Sequence, residues 1–463
     1  MKQQAVKSVK VKFGEENVTS FGGMLLVERL ALRLGLWQEL HKRLPRRRGH
    51  FRWLPIIKSA AAGLLSDARG TYATEAVRHD EALLDLLGLA DAPEEATFWR
   101  SLEGLGRKDV RAILAKVQRL WTRKVLSRAT RRDLLREGFF PVFGDGTLLE
   151  GSDRREATKY QDGKGKGLLW STWFCGPLVA GQQLAAKGQS EQSTLREMLG
   201  EVVDEVLEPL NLKDRALVLM DSLHGDGPTL DQIEGHGLHY IIGANKLAQT
   251  EMVLRERAEW EWQSTGARAR MGWADSGVCV CWLQCESWPA KRLLVGRRWL
   301  REGEMIWNYA GVITDLTEED LEHMIKRGLS FAEAIWRLYD TKAGMEDYYK
   351  DLLEDLSLHR PPCRELVRNR GFYAVATLAH TLARGVDLIG GKDPERGTMK
   401  RQDGGRRRRP KPRRMRLWRM RRVFLALAGR VACHGRRATV TLLGVHETIR
   451  RQFERLWLNV CRC

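Results

Sequence analysis

Two short apolar runs, each ending at an aspartate, decide the fold of this chain. Residues 139–147 read FFPVFGDGT, and residues 216–222 read ALVLMDS. Continuous apolar runs of this length are typical of buried strands in the middle of a sheet. Because Asp145 and Asp221 follow these runs directly, we expect them to meet at one edge of a shared sheet. Carboxylates placed there offer the oxygen ligands that Mg²⁺ prefers, although a single aspartate after a strand is more often a turn residue.

The pattern around the two runs predicts an α/β layer. Residues 168–174 form a further short apolar run, and residues 190–208 have the apolar spacing of an amphipathic helix. Strands joined by such a crossover helix are typical of α/β folds. Further along, seven tryptophans and an alternating strand at 278–285 predict a β-rich insertion.

Changes of composition divide the chain into five predicted regions. They are a basic helical domain at 1–125, the first part of an α/β domain at 126–249, the β-rich insertion at 250–311, the second part of the α/β domain at 312–395, and a basic C-terminal region at 396–463. Ser330 and Glu333 have the spacing of a capping box, which predicts that a helix begins there.

A third acidic residue stands on a predicted helix over residues 339–356. Tyr339, Lys342, Glu346, Lys350 and Leu353 are three or four residues apart, so they share one helical face. A glutamate between two lysines can bind a metal ion while its neighbours bind phosphates. On spacing alone, an ordinary solvated face with salt bridges is the simpler interpretation.

Three blocks in order resemble the DDE transposases of bacterial insertion sequences. They are Gly144-Asp145-Gly146-Thr147, Leu219-Met220-Asp221-Ser222 and Tyr339-Asp340-x-Lys342-x3-Glu346. The similarity is to the subgroup with a β-rich insertion between the second Asp and the Glu, whose third block has the form Y-x2-R-x3-E-x6-K. Lys342 replaces the arginine of that block, and Leu353 stands where its final lysine is expected.

The resemblance implies a ribonuclease-H-like mixed sheet flanked by helices, within an α/β chain that has an all-helical N-terminal domain and a β-rich insertion. It also implies that residues 1–125 bind DNA and that residues 126–249 and 312–395 form the catalytic domain. It implies that Asp145, Asp221 and Glu346 are the catalytic residues and hold two Mg²⁺ ions, with Mn²⁺ as an alternative. Side chains implied to contact DNA are Tyr339, Lys342 and Lys350, together with Trp288 and Trp299 as candidates to stack on a flipped base.

The activity implied by the resemblance is metal-dependent cleavage and strand transfer at the ends of a mobile DNA element. The partners would be double-stranded element ends and target DNA, bound by a homodimer. Two alternatives stay open. One is a related metal-dependent nuclease that cuts without transfer, and the other is a catalytically silent, DNA-binding relic of a transposase.

The composition agrees with a nucleic-acid partner. Lys and Arg number 78 against 59 Asp and Glu, which gives a net charge of +19, and an excess of this size favours a polyanion. A basic enzyme of another class is the alternative. No secretory signal, membrane-spanning run or disulfide framework is evident, so we expect a cytoplasmic, nucleoid-associated bacterial protein without a membrane partner.

The affinity of the protein for duplex DNA is expected to fall steeply as salt rises. Each phosphate neutralised by a Lys or Arg contributes about −0.9 to the log–log slope, which fluorescence anisotropy at several salt concentrations measures. Deleting residues 401–422, which include RRRRPKPRR, should flatten the slope if this run lies on DNA. A shallow slope for the intact protein would mean that its positive charge serves another purpose.

Overall fold

The apolar runs that end at Asp145 and Asp221 form neighbouring strands of one large sheet. The protein is seen here in a computed structural model, which describes residues 17–129, 134–150, 159–161, 165–244, 249–266, 271–286, 288–390, 415–434 and 437–463. The strands within these residues are β1 (Val18–Thr19), β2 (Phe140–Glu150), β3 (Lys159–Gln161), β4 (Gly165–Cys175), β5 (Leu178–Leu184), β6 (Ala216–Met220), β7 (His239–Gly243), β8 (Gln263–Ser264), β9 (Trp273–Leu283), β10 (Arg292–Arg301), β11 (Asn308–Thr314), β12 (Gly429–His434) and β13 (Arg437–Leu442).

Helices precede the large sheet in the chain and also connect its strands. Within the described residues they are α1 (Leu25–Arg33), α2 (Leu36–Arg43), α3 (Trp53–Leu65), α4 (Ala73–Arg78), α5 (Glu81–Leu87), α6 (Glu95–Gly106), α7 (Lys108–Arg128), α8 (Glu191–Val202), α9 (Gly227–Gly235), α10 (Thr250–Arg255), α11 (Glu322–Ile325), α12 (Phe331–Tyr339), α13 (Ala343–Lys350), α14 (Leu366–Gly390), α15 (Leu417–Met420) and α16 (Glu447–Arg462). The capping box is confirmed, because Ser330 and Glu333 exchange hydrogen bonds at the start of α12. No helix in this set has the length and apolar composition needed to cross a membrane.

The central strands have the topology predicted from the resemblance. β2, β4 and β5 form an antiparallel meander, and β6 and β7 then add in parallel on the other side of β2. The resulting order β5-β4-β2-β6-β7 is that of a ribonuclease-H-like sheet. Parallel neighbours need a long crossover, which the chain provides with α8 before β6 and α9 before β7. The predicted ribonuclease-H-like α/β class is therefore confirmed.

The β-rich insertion continues this sheet. β11 pairs antiparallel with β7, and β10, β9 and β8 follow outward in that order. With β3 and β5 both paired to β4, the sheet has ten strands within the described ranges. The alternating pattern at 278–285 lies mostly on β9, where Val278, Cys279 and Cys281 are buried.

The N-terminal and C-terminal regions of the described chain pack against each other. The N-terminal region is helical over α1 to α7, apart from β1, which pairs with β12 in a separate three-stranded sheet. α14 packs against α1, α3, α6, α7 and α16. Its contact with α6 is close, because a Cβ at Gly106 would lie only 1.7 Å from the carbonyl oxygen of Val367.

A buried ion cluster fixes the chain just after α13. Residues Asp351–Asp355 form a π-helical turn, and the side chain of Asp351 is fully buried. Its carboxylate is paired with Arg384 of α14 and accepts from Arg416 Nε and the Leu417 backbone N–H, each at 3.0 Å. A buried charge needs such complete pairing to be tolerated. The helix that carries Glu346 is therefore tied at its C-terminal end to α14 and to the segment that begins at Met415.

His380 lies beside this cluster but does not carry charge. Its ring is fully buried, with Nε2 3.7 Å from Asp351 Oδ2, and burial lowers its pKa to about 3, opposed by Asp355. The ring is therefore neutral at pH 7, and the two arginines neutralise Asp351. An unfolded chain binds a proton at this histidine near its ordinary pKa of 6.5, so acid favours unfolding.

Replacing His380 by Asn should reduce the loss of stability in acid. The contribution of a neutral, buried His380 is complete above pH 6.5 and declines as the pH falls toward about 3. Near pH 4.5, wild type should have lost about 2 to 3 kcal/mol through this group relative to neutral pH. Urea unfolding at both pH values measures the difference, with the exposed His41→Asn as control. Equal acid sensitivity of His380→Asn and wild type would mean that His380 is protonated in the fold.

Candidate active site

Parallel pairing of β2 with β6 places the two predicted aspartates side by side. The register aligns Phe143 with Leu219, so two residues further along Asp145 stands opposite Asp221. Asp145 lies within β2, and Asp221 follows the last residue of β6. The structure thus brings together the two carboxylates that the sequence predicted to meet.

Local hydrogen bonds orient both carboxylates. Asp145 Oδ1 accepts from the Gly146 N–H at 2.9 Å. Asp221 caps the 3₁₀ turn Ser222–His224, and its Oδ1 accepts from the Leu223 N–H at 2.9 Å. The turn directs the ring of His224 back toward the strand ends, with Nε2 3.5 Å from Asp221 Oδ1.

Two further residues, Glu191 and His224, complete a compact cluster with Asp145. One ligand atom from each of the three lies within 4.8 Å of the others, and His224 Nε2 is 2.9 Å from Glu191 Oε1. Glu191 is the first residue of α8 and is 6% exposed. It reaches the strand because residue 146 is glycine; a Cβ there would lie 2.4 Å from Glu191 Cδ.

The sequence patterns did not identify Glu191 or His224 as site residues. The position of Glu191 in the sequence does not indicate a site residue, because only the tertiary fold brings α8 to the ends of the strands. His224 could have been found, because it stands three residues after Asp221. Asp226 serves as N-cap of α9 and pairs with Arg196.

Negative charge accumulates at this cluster without full compensation. Burial raises the pKa of the Asp145 carboxyl from 3.8 to about 6. Lys342 opposes that rise, while Glu191 and Asp221 add to it and His224 opposes it more weakly. A bound cation would stabilise the ionised carboxylates, and Asp, Glu and His are all metal-ligand types.

Two tyrosines attach the segment carrying Glu346 to the strands of the aspartates. Tyr339 donates from its hydroxyl to the Met220 carbonyl at 3.3 Å, and Tyr349 donates to the Asp145 carbonyl at 2.8 Å. Glu346 lies seven residues after Tyr339, with the 3₁₀ turn Asp340–Lys342 between them, and three residues before Tyr349 on α13. Its side chain is exposed and lies outside the compact cluster of Asp145, Glu191 and His224.

The altered positions of the third block have different environments. Lys342 is partly buried and near enough to Asp145 to influence its pKa. Lys350 is exposed at the end of α13. Leu353 falls in the π-helical turn, where α-helical spacing no longer applies, and it packs partly buried against the core. The helical face predicted to run from Glu346 to Leu353 is therefore interrupted by the π-helical turn. Packing against the core explains why a leucine stands at position 353.

The two tryptophans expected to stack on a base are differently placed. Trp288 is 4% exposed, and its indole N–H donates to the Gly225 carbonyl at 2.9 Å, which leaves no free ring face for a base. Trp299 is partly buried and stacks on Trp273 with ring centroids 5.2 Å apart. The most exposed insertion tryptophans are Trp260 at 85% and Trp282 at 56%. The basic run at 406–414 lies outside the described residues.

The Tyr349→Phe variant should lower the free energy of unfolding by about 1 to 3 kcal/mol, because buried polar atoms lose their partner. Its hydroxyl contacts both Thr172 Oγ1 and the Asp145 carbonyl. Tyr348→Phe is the matched control, since the Tyr348 ring packs on Phe174 and its hydroxyl has no hydrogen bond within the described part of the chain. Urea unfolding compares the two variants; equal stabilities would show that the Tyr349 hydroxyl does not anchor the helix.

A comparison with protein-family models found one match to part of this chain. The family model described as "Transposase DDE domain" matches residues 177–382, a range that includes Asp221 and Glu346 and begins after Asp145. No curated protein matches. Among solved structures, a piggyBac transposase synaptic complex with hairpin DNA is similar, with 12% identity and a TM-score of 0.38 over 78% of this chain and 75% of that one. Residues 177–382 of this chain are therefore similar to the transposase DDE domain family.

Proposed function

We propose that this protein is a DNA transposase of the DDE type, which cleaves and joins DNA at the ends of a mobile element. One observation carries the proposal. Asp145 lies on β2 and Asp221 directly follows β6, and these two strands pair in parallel. Asp221 falls within residues 177–382, which match the transposase DDE domain model, and Asp145 precedes them. The segment that carries Glu346 is hydrogen-bonded to both strands through Tyr339 and Tyr349.

The proposed catalytic residues are Asp145, Asp221 and Glu346, acting with two Mg²⁺ ions or with Mn²⁺. The donor set supports this, because the carboxylates are oxygen ligands suited to hard cations and the partly buried Asp145 lacks full charge compensation. When bound, such ions lower the pKa of a water and stabilise the leaving oxygen of a phosphodiester. Asp145 and Asp221 would hold them from the strands, and Glu346 would approach from α13.

The protein's other residues would bind and orient the DNA. Lys342 and Lys350 carry positive charge on either side of Glu346 and would contact phosphates, and Tyr339 would position the strand near the cut. For base stacking we retain Trp299, whose ring is partly exposed, and add Trp282, which is exposed beside Lys291 with the ammonium 5.2 Å from the ring centroid. Base–aromatic stacking contributes about 1 to 3 kcal/mol per base.

The reaction would have two steps. Water attacks a phosphodiester at the element end, which breaks the bond to the 3′ oxygen and leaves a free 3′-hydroxyl. That hydroxyl then attacks a phosphodiester in a second strand, so one P–O bond forms as another breaks. Joining two ends requires both in one complex, and we propose a homodimer on DNA.

Cleavage should be lost in Asp145→Asn, Asp221→Asn and Glu346→Gln, while DNA binding persists. The substrate is a supercoiled plasmid that carries the DNA flanking the gene on both sides, incubated with Mg²⁺ or Mn²⁺. Asp347→Asn is the matched control, because it removes a neighbouring charge on α13 without removing a proposed ligand. Gel shifts on the same DNA measure binding.

The same assay separates transposition from its alternatives. Cleaved ends joined to a second plasmid indicate a transposase, and cleaved ends that are never joined indicate a nuclease. Binding without cleavage by the wild-type protein would indicate a silent relic and would contradict the proposal. Unchanged cleavage by Glu346→Gln would contradict the role of Glu346 alone.

A further inference from the structure

The imidazole of His224 is a buried polar group without a hydrogen-bond partner among the residues that the structure describes. The ring is fully buried, and neither Nδ1 nor Nε2 makes a hydrogen bond within the described residues. Nε2 nevertheless lies 2.9 Å from Glu191 Oε1 and 3.5 Å from Asp221 Oδ1. Buried polar atoms in native proteins are almost always paired. An unpaired nitrogen directed into a group of carboxylates therefore indicates a ligand between them.

We propose that Glu191 and His224 are ligands of a divalent cation that they share with Asp145 and Asp221, so that this centre has a nitrogen donor. The inference deepens the proposed function and depends on it for the choice of cation. Two residues outside the three transposase blocks thereby join the proposed metal ligands. The ion that they bind would have both oxygen and nitrogen ligands.

The distance between Glu191 and His224 agrees with two ligands of one ion. Ligands about 2.1 Å from an octahedral ion, at right angles, stand about 3 Å apart, close to the observed 2.9 Å. A simple ion pair would explain the distance only if the ring N–H pointed at the carboxylate. That hydrogen bond is not formed, because neither ring nitrogen has a donor or acceptor geometry toward a described partner.

The charges around the ring favour a cation as well. Asp145, Glu191 and Asp221 supply three carboxylates, and Lys342 is the cation that most strongly influences Asp145. Placing the buried Glu191 and the partly buried Asp145 and Asp221 around a single imidazole is costly unless further positive charge is present. The glycine at 146 leaves just enough room for Glu191 to approach Asp145.

A nitrogen ligand changes which metal the centre prefers. Imidazole suits transition ions, whereas Mg²⁺ is bound chiefly by oxygen ligands. The centre should therefore bind Mn²⁺ more tightly than Mg²⁺, by a margin that shrinks when the imidazole is removed.

The test uses the full-length protein in the absence of DNA. Mn²⁺ alone serves as the probe. Electron spin-echo spectroscopy of bound Mn²⁺ should show nitrogen coupling in wild type, and the coupling should disappear in His224→Gln. Calorimetric titration should show that Glu191→Gln weakens Mn²⁺ binding by about 10- to 100-fold or more, since even changes behind a ligand have effects of that size. Competition with Mg²⁺ should show a smaller preference for Mn²⁺ in His224→Gln.

Matched controls are Glu197→Gln on α8 and His236→Gln at the end of α9, both outside the centre. Circular dichroism verifies that each variant folds. If His224→Gln does not fold, the nitrogen coupling in the wild-type spin-echo spectrum and the Mn²⁺ affinity of Glu191→Gln still test the proposal. Bound Mn²⁺ without nitrogen coupling, or an unchanged Mn²⁺ affinity in Glu191→Gln, would overturn the proposal. Glu191 and His224 would then be an ion pair with a structural role only. Nitrogen coupling in a protein that never cleaves DNA would support the metal centre and contradict the transposase proposal instead.

Discussion

The parallel pairing of β2 with β6 is the constraint on which the candidate site depends. Its register alone sets Asp145 opposite Asp221, and a slip of one residue would direct one carboxylate to the other face of the sheet. The strands hold this register because both are buried and apolar, with Phe140, Val142, Val218 and Leu219 at 0% exposure. The chemistry of the site is therefore fixed by the hydrophobic packing of the two strands.

The remaining parts of the site are attached to these strands by specific polar contacts. Tyr349 bonds to the backbone of Asp145 itself, and Tyr339 bonds to the residue before Asp221. Gly243 makes the second contact possible, because a Cβ there would lie 2.9 Å from the Tyr339 hydroxyl. Beyond α13, Asp351 links the same helix to Arg384 and Arg416. The position of Glu346 is thus determined by contacts at both ends of its helix.

Buried charge has two different roles in this protein. Around Asp351, arginines balance the carboxylate almost completely, and the neighbouring His380 stays neutral, so the cluster stabilises the packing of helices. Around Asp145, carboxylates exceed the nearby positive charge and the pKa of Asp145 is raised. An uncompensated cluster close to the partly buried Lys342 is the arrangement expected where metal ions and phosphates bind.

The sequence by itself determined the ribonuclease-H-like class, the β-rich insertion and the meeting of Asp145 with Asp221. The insertion and the meeting of the two aspartates follow from apolar runs and their order, because strand burial shows in local composition. The ribonuclease-H-like class follows from the resemblance of the three sequence blocks to a known family. It did not determine the cluster of Glu191 and His224, since the approach of α8 depends on packing and on the missing Cβ of Gly146. It also misjudged the surroundings of Leu353 and Trp288, where a π-helical turn and the closing of the insertion decide exposure. The spacing of residues in the sequence predicts which side of a helix or strand they share only where that element is regular. Tertiary packing decides where the regular geometry ends.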